Sequence, residues 1–415
     1  MSPWFSAAAS GPALAVRHGL GPGAQAWLTG AVQLGFVAGT LTAAILNLAD
    51  IVPARWYFGI SALLAAASNL VLLVAPDYAV LVGARAATGF FLAGVYPPAM
   101  KMAATWFRER RGMAIGTVVG ALTLGKAAPF LLFEGDAGLE SLAGTGGVVA
   151  ASVAALVGGC MVLVAWRDGP HAFPRRAFRW GLVGEVLRDR PTRLATWGYL
   201  GHMWELYAFW SVTALFLVAH RGAQIGAGAA EAGVRAEGGA WLLPGLDGVP
   251  VGVLAFLVIG SGAVGAVGAG VLADRLGRER VASWAMAASG ALALGVGWLV
   301  AAPSWIVVPL LVAWGVTVVA DSAQFSALVT EVAPPHAAGT ALTLQTSLGF
   351  ALTTLPIWAV PVLAGSVGWG WAFAFLAPGP AVGIVAMRAL ARIRSTPAGA
   401  PSPATIPGSG ARGGD

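Results

Sequence analysis

Apolar residues in this chain come in runs of about twenty, separated by short polar or glycine-rich breaks. An α-helix needs a run of about that length to cross the roughly 30 Å of bilayer hydrocarbon. In lipid every backbone polar group must be satisfied inside the segment, which a helix does. The pattern predicts helices near 1–17, 25–48, 55–75, 79–102, 111–134 and 147–166. After a polar gap it predicts helices near 193–220, 249–273, 280–302, 304–329, 337–364 and 368–391. The first run is too short for a full crossing and carries Pro12, so either the helix is abbreviated or the reading frame begins further upstream. The gap at 167–192 is expected to be a connector with a short surface helix. The Gly- and Ala-rich stretch 221–248 reads as a loop, and 395–415, rich in Pro, Gly and Ser, as a disordered tail.

Composition turns this pattern into a solvent argument. Of 415 residues, 58% are hydrophobic and only 10% charged, with a mean hydropathy of +0.78. A soluble chain carries about a quarter charged residues to cover its surface, so this surface faces lipid. The net charge of +6 does not point to nucleic acid, because the basic residues sit in a few short segments without aromatic interleaving. They do point to an orientation. With both ends inside the cell, nineteen of the 24 Lys and Arg residues fall on the cytoplasmic side, as the positive-inside rule requires. Arg17, Arg221 and Arg235 fall outside, and Arg85 and Lys126 lie within spans. The expected location is the cell membrane, multi-pass. The single cysteine, Cys160, lies in an apolar run and is silent about compartment.

The second half of the chain echoes the first. NLADIVPAR (Asn47 to Arg55) follows the second run, and GVLADRLGRER (Gly270 to Arg280) follows the eighth. A second echo pairs RRGMAIGTVVGALTLG with AAGTALTLQTSLG, at nearly the same offset along the chain. Such duplication is what a transporter whose halves rock about a central site displays. The second copy, with Gly270, Asp274, Arg275, Gly277, Arg278 and Arg280, resembles the loop motif of the major facilitator superfamily. The first copy keeps Asp50 and Arg55 but has Asn47, Ile51 and Pro53 where the motif has Gly, Arg and Gly. RAATG (Arg85 to Gly89) is similar to that family's second motif, whose arginine is linked to proton coupling. Tyr96-Pro97 and the following WFRERRGMAIG read loosely like small-anion and organic-acid permeases. The resemblance implies an all-α integral membrane fold of twelve helices in two pseudo-symmetric six-helix bundles, 1–166 and 193–394. It also implies loop motifs that gate the cytoplasmic face. Glycines crowd the second, fifth and eighth runs, which the resemblance places, with the eleventh, at the sliding interface between bundles.

Charges inside spans are costly and mark candidate sites. Arg85 is a candidate coupling residue, or a structural arginine satisfied by carbonyls. Lys126 could bind an anion or pair with a carboxylate, or snorkel to a headgroup. GHMWELYAFW (Gly201 to Trp210) places His202 and Glu205 at i, i+3, a possible proton relay with Glu205 as the carrier. Trp204, Tyr207 and Trp210 could line a cavity beside them. Asp321 and Gln324, also i, i+3, are further candidates, with Gln33 and Gln345 behind them. No phosphate-binding P-loop, HExxH, paired CxxC or GxSxG occurs, so ATP drive and hydrolase or metalloenzyme chemistry have no visible machinery. The sequence reads as a monomeric, cofactor-free, non-enzymatic carrier of a small molecule, with the proton as coupling ion. Two alternatives stay open: an exporter of drug-like compounds, and a sensor or scaffold built on a permease fold.

Overall fold

A computed structural model of the chain describes residues 1–107, 111–132, 143–170, 178–232 and 249–395. The expected tail from 396, residues 233–248 of the stretch read as a loop, and Arg108 and Arg110 lie outside the described residues. Among those described, the fold is all-α. Ten helices are long and apolar enough to cross a membrane: α2 Pro22–Ile45, α3 Ala54–Leu73, α4 Tyr78–Ala103, α5 Met113–Leu131, α6 Gly146–Ala165, α8 Val251–Leu276, α9 Arg278–Leu299, α10 Ser304–Val332, α11 Ala338–Val367 and α12 Trp369–Ser395. Each falls on an expected run. α7, Arg190–Ala232, is 43 residues long and carries helix into the stretch read as an external loop. The connector holds the expected short helix, Val183–Arg188.

The first run is not one helix. It forms short turns at Ser2–Trp4 and Ser6–Ala9 and then α1, Gly11–His18. Pro12 lies at the start of α1; a proline has no N–H to carry a helix through from the preceding turn, and the helix breaks just before it. Four long helices are also interrupted. α4 turns at 93–95, just ahead of Pro97 and Pro98, α8 at Ser261, α10 at Asp321 and α12 at 375–377. Those in α4 and α10 fall at matching places of the repeat.

Close helix packing without a hydrophobic driving force needs small residues at the contact. A β-carbon at Gly35 on α2 would clash with the carbonyl oxygen of Ala86 on α4, and one at Gly315 on α10 with that of Val258 on α8. The same crossing is thus built twice, once in each half. Between the halves, α2 packs on α11 and α5 on α8. There Gly116 lets α5 approach so closely that a β-carbon would lie 2.6 Å from the carbonyl oxygen of Ala266.

Candidate functional site

α7 presents two faces with different chemistry. Tyr199, His202, Met203, Leu206, Tyr207 and Trp210 recur at helical spacing and line a small, narrow cavity of about 50 Å³. The other walls come from both halves: Tyr96 on α4, Val119 and Leu122 on α5, Ser322 and Ser326 on α10, and Thr346 and Phe350 on α11. Tyr96 and Ser322 follow directly on the interruptions of α4 and α10, so both breaks lie at the cavity wall.

Toward the end of the bundle away from the connector, the cavity stops at an aromatic layer. Phe36 and Phe350 lie 4.3 Å apart, Trp4 and Phe350 5.5 Å, Trp4 and Tyr207 5.6 Å, and Phe5 and Trp210 6.0 Å between ring centroids. Each pair joins the first half to the second. Lys126 of α5 threads into this layer. Its Nζ lies over the rings of Tyr207, Trp4 and Trp210, at 4.1, 4.2 and 4.8 Å from their centroids, and it donates a hydrogen bond to the Tyr207 hydroxyl. The side chain is fully buried. Among the described residues no carboxylate comes within ion-pair distance of it. Tyr207 and Trp210 therefore each have a part in the cavity wall and a part in the cage around this amine.

Arg85, equally buried, has a different environment. Its Nε donates to the carbonyl of Leu28 at 3.2 Å. Nη1 donates to the carbonyl of Pro3 at 2.8 Å and to Asn69 Oδ1 at 2.8 Å, and Nη2 to the carbonyl of Trp4. Asn69 in turn donates to Ser152 Oγ at 3.0 Å. The broken first segment supplies the carbonyls of Pro3 and Trp4, which its short turns leave without helical partners, and α2 supplies that of Leu28.

His202 and Glu205 are not joined. His202 Nδ1 lies 2.8 Å from Asp321 Oδ1, and its Nε2 is 2.9 Å from Ser322 Oγ. Glu205 turns away from the cavity into the second half, accepting from Ser289 Oγ at 2.9 Å and Trp314 Nε1 at 2.6 Å. Gln324 serves neither group; its Oε1 accepts from Arg278 Nη1 at 3.0 Å. Trp204 donates to the carbonyl of Phe375, outside the cavity wall. Gln345 bonds the carbonyl of Ala195. Both amide atoms of Gln33 are buried without a partner among the described residues. Sequence reading passed over Asn69, Ser289, Trp314 and Ser322. Asn69 had a signal, a lone amide in an apolar run; the others are ordinary residues until the fold brings them to a charge.

The described residues are all-α, with ten membrane-length helices and a cavity walled by both halves, and the sequence profile of the Major Facilitator Superfamily matches residues 2–355. The chain belongs to the major facilitator superfamily. It is thus a membrane transporter with a small-molecule substrate, embedded by many apolar helices. Comparison with curated proteins finds no match.

The superfamily's loop motif is realised unequally in its two copies. After α8, Gly277 makes a one-residue turn with φ +92°, a conformation that glycine adopts without a Cβ penalty. Arg278 then reaches Glu331 at 2.8 Å and Asp274 at 3.7 Å, while Arg394 of α12 reaches Glu279 at 2.7 Å and Glu331 at 3.2 Å. Gly270 and Arg275 sit on α8 leading into that turn. After α2, Arg55 lies 5.4 Å over the ring of Trp56. Asp50 lies in a single helical turn, Leu48–Ile51, with its side chain outside the described residues.

Proposed function

We propose that this protein is a proton-coupled secondary transporter of a small organic anion, working by alternating access, in the cell membrane with both termini cytoplasmic. Lys126 carries the reading. A buried amine without a counter-charge is costly, and here it stands at the closed end of the cavity between the halves. An anion in that cavity supplies the missing charge. It also reaches Tyr207, whose hydroxyl links α5 to α7. Anion binding thereby acts on a contact that joins the halves at this end, which is the coupling alternating access needs.

The proton carrier we assign is His202 with Asp321, ahead of Glu205. His202 is on the cavity wall with a carboxylate beside it, whereas Glu205 is engaged by two donors in the interior of the second half. The charged and titratable groups near His202 are Asp321 on α10, Glu205 one turn away on α7, and the phenols of Tyr199 and Tyr96 on the same wall. The aromatic walls would also suit export of a lipophilic compound; the caged amine at their closed end favours an anion.

The test is uptake of radiolabelled organic anions into proteoliposomes under an imposed pH gradient. Lys126→Met is expected to reduce uptake by about 10- to 100-fold, the worth of a charged hydrogen bond. His202→Gln is expected to keep anion exchange but lose its response to the gradient. Uptake by Lys126→Met at the wild-type rate would sink the reading.

A further inference from the structure

The geometry around Lys126 assigns a narrower substrate class, and this rests on the anion reading above: we infer that the ligand is a monocarboxylate with a flat apolar body, bound head-first against Tyr207 and Trp210.

The head group is set by donors. As an ammonium, Lys126 can only donate, so the Tyr207 oxygen accepts and the Tyr207 O–H proton remains to be given elsewhere. Trp210 Nε1 is buried with no hydrogen-bond partner among the described residues, and so is Trp4 Nε1. Both indoles lie against the same amine. Buried polar atoms are nearly always paired, and here an amine, a phenol and two indoles in one layer all want an acceptor. A carboxylate has two oxygens and about four acceptor positions, which matches that set. Because Tyr207 and Trp210 are also cavity wall, a carboxylate arriving from the cavity meets the phenol and indole first, with the Lys126 charge behind them.

The body is set by what the rest of the wall lacks. Beyond His202, the hydroxyls of Ser322, Ser326 and Thr346 and the phenols of Tyr96 and Tyr199, the lining is aromatic or aliphatic, with Phe350 part of the aromatic layer itself. Among the described residues no Lys or Arg lines the cavity. A second negative charge on the ligand would face an apolar wall whose single imidazole, His202, is already engaged by the Asp321 carboxylate. A sulfate or phosphate would need donors on all sides. A flat apolar body satisfies the wall, with rings offered by Tyr199, Phe350 and Tyr207.

The experiment measures melting temperature and intrinsic tryptophan fluorescence of the purified full-length protein with benzoate, benzamide, phthalate and sulfate. Benzoate is expected to raise the melting temperature and quench fluorescence, with benzamide, phthalate and sulfate inactive at equal concentration. Tyr207→Phe and Trp210→Phe keep the rings and remove one donor each, and each is expected to weaken benzoate binding by roughly 3- to 10-fold. Their ligand-free melting temperatures report in the same experiment whether they fold. If phthalate or sulfate binds as well as benzoate and Lys126→Met removes both responses, the monocarboxylate class is wrong and the anion reading stands. If both donor variants bind benzoate like the wild type, the head-first pose is wrong. If Lys126→Met keeps the benzoate response, or no anion gives one, the anion reading falls and takes this inference with it.

Discussion

Arg85 and Lys126 are two fully buried cations in the same half of the molecule, and their surroundings are opposite. All three guanidinium nitrogens of Arg85 donate to oxygens of the protein itself: backbone carbonyls from the broken first segment and α2, and the amide of Asn69. Lys126 has one hydroxyl and three aromatic faces. The difference teaches how to sort intramembrane charges. A cation whose donors are filled by the fold is part of the fold, while one held by polarisable faces and a single neutral oxygen is left able to bind something else. The guanidinium's planar fork suits several carbonyls at once, and the ammonium's compact charge suits an aromatic cage.

The sharpest way to break this comparison is to remove both charges. Arg85→Met strands several buried carbonyl and amide oxygens, and should lower stability by about 3 kcal/mol or more, seen as a lower melting temperature of the purified protein. Lys126→Met should instead leave the ligand-free protein as stable as the wild type or up to ~4 kcal/mol more so, since a buried unpaired charge is replaced by apolar volume. Equal destabilisation by the two substitutions would show that Lys126 is as structural as Arg85. Asn69→Ala comes next, with an expected loss of about 1–3 kcal/mol; an unchanged melting temperature would mean that Arg85 does not depend on its amide partner. Glu205→Gln should give a smaller change in the pH dependence of uptake than His202→Gln, and the reverse ranking would return the proton to Glu205. The smallest effect is expected at the loops. Arg278→Ala removes partly exposed ion pairs worth about 0–1 kcal/mol, and Arg55→Ala should be indistinguishable from wild type in the same denaturation assay.

Much of the architecture was legible because hydrocarbon imposes a length and a composition on each crossing. The helix at 251–276 and the one at 338–367, for example, fall on the expected runs within a few residues. The long α7 was read too short because its polar segment after residue 220 is still helical, and helix propensity in Ala- and Gly-rich sequence gives no sharp stop. The broken first segment was half visible through Pro12, but not what the break is for: its freed carbonyls are taken up by Arg85, 82 residues away from Pro3 in the chain.

At the candidate site the sequence marked the right residue types and could not assign their partners. His202 and Glu205 stand three apart on one helix, and spacing alone suggested a pair. A helix buried on all sides has neighbours around its whole circumference, so a 60° difference in direction sends His202 to Asp321 and Glu205 to Ser289 and Trp314. By itself, then, the sequence determined a lipid-facing, duplicated helical chain with a handful of internal charges, because solvent preference is a property of each segment. Only the tertiary structure decided which charges are satisfied, which line the cavity and which one is caged beside it, because each of those depends on side chains from helices far apart in the chain.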